Sequence, residues 1–229
     1  MSEIRVTSIV GENGGDRVGL TTGLTVGPLT GTTGIGATIT HQGHAQFAGV
    51  CTATSFSGSG ANLTNIPVPT GGIVQVKNTT LTAVSSQSIA SASAWNYNDA
   101  ALRVDITASN SANKFLIQGQ LCVSSNGLAV SAQLADNGSA PITNAAGDAS
   151  SNRRQSITGG DNGNTEGVMV LPFHAFVSPG DTNEHKYHFY IWHNAGSTQT
   201  VYLNRSWSDS DNNKRGRYIS NITVMEIKG

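Results

Sequence analysis

His185, His188 and His193 are the first residues to weigh for chemistry, because imidazole is a common metal ligand. In an extended strand His185 and His193 point to one face and His188 to the other, so one strand cannot gather all three. No Cys or acidic partner stands at a zinc-binding spacing from them. Interleaved with Tyr187, Phe189, Tyr190 and Trp192, they read as core or surface histidines of a strand. His41 and His44 raise a different possibility. On the axis of a three-chain assembly, one His per chain supplies three imidazoles to a metal, or equally to water or an anion. No metal or other cofactor is expected, with His41 and His44 noted as candidates only on such an axis.

Asp209-Ser210-Asp211-Asn212-Asn213 begins like a calcium loop. Lys214 occupies the sixth position, where that loop needs Gly, and Ser220 the last, where it needs a bidentate Glu. An EF-hand is excluded; a looser cation site or, preferably, a surface turn remains. Glycoside hydrolysis needs two carboxylates flanking a cleft. Asp161, Glu166, Asp181 and Glu184 are available, but each falls in a turn-rich segment and no pair is singled out. Gly31-Thr32-Thr33-Gly34-Ile35-Gly36 lacks both a Walker lysine and a dinucleotide-binding glycine spacing. Gly58-Ser59-Gly60 reads as a turn, not a nucleophile elbow. The chain is read as non-enzymatic.

Binding has better support. Tyr and Trp combine an apolar face with a polar handle, which suits saccharide stacking and protein interfaces. Trp192, Tyr202, Trp207 and Tyr218 are the binding candidates, whereas Tyr187 and Phe189 read as core. Trp207 stands in a polar loop between Ser206 and Ser208, which marks it for an interface. The polar, Gly-rich stretch from Ser150 to Thr165 is a candidate contact loop, its alternative being disorder.

The elements that must position these residues are strands. Charged residues make up 12% of the chain, Gly accounts for 27 of its 229 residues, and the formal net charge is -1. Low charge with abundant Gly, Asn, Ser and Thr fits many short strands joined by tight turns, an all-β protein. The same charge argues against a nucleic-acid partner, which needs a concentrated basic surface. Lys214, Arg215 and Arg217 form the densest basic cluster, read as a solvated turn beside Asp209 and Asp211. No signal peptide is recognised and no apolar run is long enough for a membrane helix, so membrane insertion is not expected. Cys51 and Cys122 read as buried thiols in separate domains of a chain made in a reducing cytoplasm.

Two regions differ in grammar. Residues 1–65 open on an apolar strand, Ile4 to Val10, and then scatter single large residues such as Leu24, Val26, Ile39, Phe47 and Val50 among glycines. Burying each contributes only ~1.5–3 kcal/mol, against ~1–2 kcal/mol per residue of backbone ordering. Such a stretch encloses a core by winding identical chains together; the alternative is a flexible linker. Residues 66–72, with Pro67, Pro69 and Gly71-Gly72, read as an extended spacer ending in a turn. Residues 73–229 read as a β-sandwich of jelly-roll type. Its strands are expected at 73–80, 101–107, 114–124, 127–135, 168–177, 185–193, 199–204 and 218–227, several alternating with period two. In one, Phe115, Ile117, Gly119 and Leu121 share a face; in the last, Ser220, Ile222 and Val224 do.

Three segments resemble fibre proteins of tailed bacteriophages, especially those of marine cyanophages. They are Cys51 to Pro67 with its TATSFSGSGANLTNI run, Ser111 to Ile117, and Leu203-Asn204-Arg205-Ser206 through Asp209 to Asn212 and Gly216 to Ile227. The last is the most specific, while 140–165 matches nothing familiar. The resemblance implies a homotrimeric virion fibre with a slender, intertwined Gly/Thr-rich shaft and a C-terminal knob. It implies that the N-terminus, with Ile4, Val6 and Ile9, attaches to other virion structural proteins. The knob would then adhere to a host-surface glycan or protein. A capsid or neck joining protein is the structural rival, and a polysaccharide depolymerase the enzymatic one.

Overall fold

The computed structural model describes residues 66–229 except 127, 143, 164–166, 212 and 214, and, before them, residues 24–26, 37–39, 42, 44–47, 50–55, 57 and 59. Ile4, Val6, Ile9 and His41 lie outside the described residues, as does Glu166. The chain divides into two units, Met1–Thr64 and Asn65–Gly229.

In the first unit three short strands, β1 (Leu24–Val26), β2 (Ala37–Ile39) and β3 (Ala45–Phe47), form an antiparallel sheet in the order β1-β2-β3. All of β3 is exposed, with Phe47 at 52% and Val50 beyond it at 93%. Cys51 is exposed as well, contrary to the buried thiol expected, because among the described residues it stands outside any strand in the exposed segment 50–55.

The second unit is all-β, built of two antiparallel sheets around one core. Its strands are β4 (Ile73–Leu81), β5 (Ser85–Ile89), β6 (Trp95–Tyr97), β7 (Val104–Thr107), β8 (Lys114–Ser125) and β9 (Ala129–Asp136), followed by β10 (Thr158–Asp161), β11 (Met169–Val177), β12 (Glu184–His193), β13 (Gln199–Leu203) and β14 (Ser220–Ile227). The strand expected from Ala101 begins only at Val104. A 3-10 turn, Ala100–Leu102, precedes it, with the Asp99 carboxylate accepting from the Ala101 amide. β5, β6 and β10 lie in segments where no strand was expected.

In the larger sheet β8 is central. β11 pairs along one side of it, while β14 and then β13 pair along the other and carry β4 and β5 outward. In the smaller sheet β12 is central, with β9 and then β10 on one side and β7 and β6 on the other. Period-two alternation places Phe115, Ile117, Leu121, Ile222, Val224, Leu171 and Phe173 inward from the larger sheet. Tyr187, Phe189, Ile191, Leu134 and Val104 meet them from the smaller one. Phe173 and Phe189 pack edge to face at 5.0 Å between ring centres, and Phe115 meets Tyr187 in the same way at 5.9 Å.

Residues 66–72 are fastened to the end of β14. The Lys228 ammonium donates to the Val68 carbonyl at 2.6 Å, and the Gly71 amide donates to the Lys228 carbonyl at 2.8 Å. Gly71 has φ +80°, a left-handed turn position that favours glycine.

Candidate functional site

The three histidines of β12 are committed to the fold. His193 Nε2 donates to the Ile89 carbonyl at 2.9 Å while its Nδ1 accepts from the Ala195 amide at 3.1 Å, which fixes the tautomer and leaves no lone pair for a metal. His185 lies between two carboxylates, Nδ1 at 2.6 Å from Asp136 and Nε2 at 3.2 Å from Asp181. His188 donates from Nδ1 to the Lys186 carbonyl, and its buried Nε2 has no hydrogen-bond partner. No cluster of three or more His, Cys, Asp or Glu suited to a metal occurs among the described residues. His44 is exposed.

Among the described residues the acidic candidates do not converge. Asp209 holds Arg205 at 2.7 Å and Arg217 at 2.5 Å, pinning the loop between β13 and β14. The bond from Arg217, with help from Arg205, keeps its carboxyl below the usual range, so this loop is an ion-paired turn. Asp181 caps the Asn183 amide and Glu184 pairs with Lys186 at 3.1 Å, while Asp161 lies apart on β10.

The four aromatic candidates do not form a single surface. Trp192 faces outward from the smaller sheet, yet is only 9% exposed, because Arg154 covers it and Gly138 and Gln155 bond to neighbouring residues of that face. Gln133 Nε2 donates to the Gln155 carbonyl, Tyr190 Oη donates to the Gly138 carbonyl, and the Arg154 guanidinium sits 4.9 Å over the Trp192 ring. Tyr202 belongs to the larger sheet and is covered in the same way by Arg205, 4.3 Å over its ring. Trp207 is half-buried and its Nε1 lacks a partner; Tyr218 is exposed. Each cation occupies the aromatic face that sugar stacking would use.

Two other surfaces have more to offer a partner. A cavity of ≈ 550 Å³ opens at the β9–β10 edge of the smaller sheet, between Arg153, Arg154, Gly159, Gly160 and Asn194. The outward side of the larger sheet carries a rung of four apolar side chains in register, Val76, Met225, Leu116 and Phe176, one from each of β4, β14, β8 and β11. Val76 is 52% and Phe176 53% exposed. The next rungs, Asn78-Thr223-Gln118-His174 and Thr80-Asn221-Gln120-Pro172, carry no carboxylate, lysine or arginine. Sequence reading missed this face, although the outward alternation of Leu116 and Met225 was its visible signal.

Sequence reading also missed two buried polar knots. The Glu226 carboxylate, at 0% exposure, accepts from Gln75 Nε2 at 2.6 Å, Asn113 Nδ2 at 2.6 Å, and both the amide and hydroxyl of Ser109 at 2.7 and 2.8 Å. Burial pushes this carboxyl up, but the bonds from Asn113, Gln75 and Ser109 outweigh it and hold it below its ordinary value. Asn204, in the left-handed region at φ 62°, donates to the carbonyls of Leu81 and Ala83 and accepts from Ser220 Oγ, which in turn accepts from the Cys122 amide. It joins the ends of β4, β8, β13 and β14.

No helix among the described residues is long and apolar enough to cross a membrane. No protein-family model matches the chain, and no curated protein matches it in sequence.

Proposed function

We propose that the chain is a homotrimeric fibre protein of a bacteriophage virion, made in the host bacterial cytoplasm. Its second unit adheres to the host surface and its N-terminal residues join other virion proteins. The observation that carries this reading is the outward rung Val76-Met225-Leu116-Phe176. A sheet face with half-exposed Val and Phe, bordered on one side by neutral polar rungs and on the other by the Ile73-Ile227-Lys114 rung, offers apolar area to a copy of itself with Lys114 at the border of the contact. Phe47, 52% exposed, and Val50, 93% exposed, support it from the first unit as apolar side chains left open to a partner. The shaft reading, chains intertwined so that each supplies part of a thin core, rests on that exposure.

The second unit is read as a jelly roll, supported by strand order. Counting β4/β5, β6/β7 and β13/β14 as single runs leaves eight runs along the chain. First pairs with eighth, second with seventh, third with sixth and fourth with fifth, the ladder of one long hairpin. The further pairings of eighth with third and seventh with fourth are those gained when that hairpin wraps into two sheets.

Adhesion then works by linking three weak sites, which raises avidity by ~10²–10⁴ over one. Immunogold microscopy of the phage with antibody against the full chain tests the assignment. Gold at a fibre tip supports it. Gold confined to neck or capsid would replace it with the joining-protein reading, and unlabelled particles would overturn it.

A further inference from the structure

We propose that the cavity at the β9–β10 edge is a binding site for an acidic saccharide, one that carries a carboxylate, sulfate or phosphate beside free hydroxyls. The inference rests on the adhesive reading above and names the chemistry of its ligand.

Two consecutive arginines border the cavity, and among the described residues neither is paired with a carboxylate. Arg153 makes one long bond, 3.3 Å, to the Ser150 hydroxyl. Arg154 lies over Trp192, its Cζ 4.9 Å from the ring centre, a cation–π contact that does not use up its N–H donors. Arg154 is exposed overall, and partial desolvation of its guanidinium lowers its proton affinity relative to an ordinary arginine. A planar fork held on an aromatic face matches the two oxygens of a carboxylate or sulfate.

The remaining lining selects against a bare anion. Asp161 stands in the same cavity with Ser131 and Asn194. A compact multiply charged anion is repelled by that carboxylate, whereas a sugar ring places its one charged group on the arginines and its hydroxyls on Asp161, Ser131 and Asn194. Gly159, opposite Ser131 in the β9–β10 ladder, carries no side chain on the cavity side, which leaves width for a ring. The Ser156 hydroxyl, also in the lining, is buried without a partner.

The test titrates the full chain, followed by NMR, with oligosaccharides bearing uronic acid, sialic acid, sulfate or phosphate, and with their neutral parents and inorganic phosphate. At least one acidic saccharide should bind at least tenfold more tightly than its neutral parent and than phosphate. Arg154→Ala should weaken that binding about ten- to hundredfold, the loss of charged hydrogen bonds. Arg154→Lys should recover only part of it. Arg153→Ala, at an exposed side chain bound only to Ser150, should weaken binding with no change in melting temperature, and so guards against misfolding as the cause. The proposal is overturned if no acidic saccharide binds, if neutral parents or phosphate bind equally well, or if both alanine variants bind unchanged. A chain that labels the fibre tip but binds none of these saccharides refutes this site and leaves the fibre assignment standing.

Discussion

Glu226 is a buried acid at the end of the last strand, and four donors converge on it. Glu226→Gln keeps the shape and the Oε1 acceptor for Ser109 and Asn113, but removes the charge. A hydrogen bond to a charged acceptor contributes ~1.5–3 kcal/mol and a neutral one ~0.5–1.5, so three weakened bonds sum to about 3 kcal/mol. The Gln75 bond is further compromised, since two amide nitrogens then face each other unless Gln75 turns. The folded carboxyl titrates below its unfolded value of ~4.3, so its contribution is fully present above that pH and is lost as pH falls through the lower folded value. Urea unfolding of both proteins between pH 7 and pH 2.5 measures this directly. The variant should be about 3 kcal/mol less stable at pH 7, with the gap narrowing once pH drops below about 4. A gap that stays constant with pH, or no gap at pH 7, would refute the argument that an ionised Glu226 clasps β4, β14 and the β7–β8 connection.

Asn204→Ala removes two donors and one acceptor from a buried junction and places Ala at positive φ, and should cost about 3 kcal/mol in denaturant unfolding. Phe189→Ala, which empties the space against Phe173, should cost about 3–5 kcal/mol by the same assay. Phe176→Glu puts a charge on the outward rung without touching the core. It should lower the mass of the proposed trimer in light scattering while leaving the circular dichroism spectrum unchanged; an unchanged mass would move the subunit contact elsewhere.

The strands that sequence made legible are those whose alternation sets large apolar residues against polar ones, such as Phe115-Ile117-Leu121 on β8 and Ile222-Val224 on β14. β5 (Ser-Ser-Gln-Ser-Ile) and β10 (Thr-Gly-Gly-Asp) carry almost no such contrast, and ladder bonds to β13 and β9 hold them extended. Trp192 and Tyr202 were legible as binding aromatics set apart from the core pair Tyr187 and Phe189. That a guanidinium covers each was not, because Arg154 reaches Trp192 from a different part of the chain and the loop path sets the encounter. Glu226 left a usable signal: the period that buries Ile222 and Val224 also carries this acid inward, and a buried carboxylate must find donors. Which donors they are depends on the β7–β8 connection, which no local pattern reveals.

The claim on which the rest depends is that three chains assemble through faces one chain leaves uncovered. Light scattering coupled to size exclusion on the full chain tests it most directly. Assembly of three chains gives a single species of three times the 23.7 kDa chain mass. A species of 23.7 kDa at micromolar concentration would contradict it and remove the avidity on which adhesion rests.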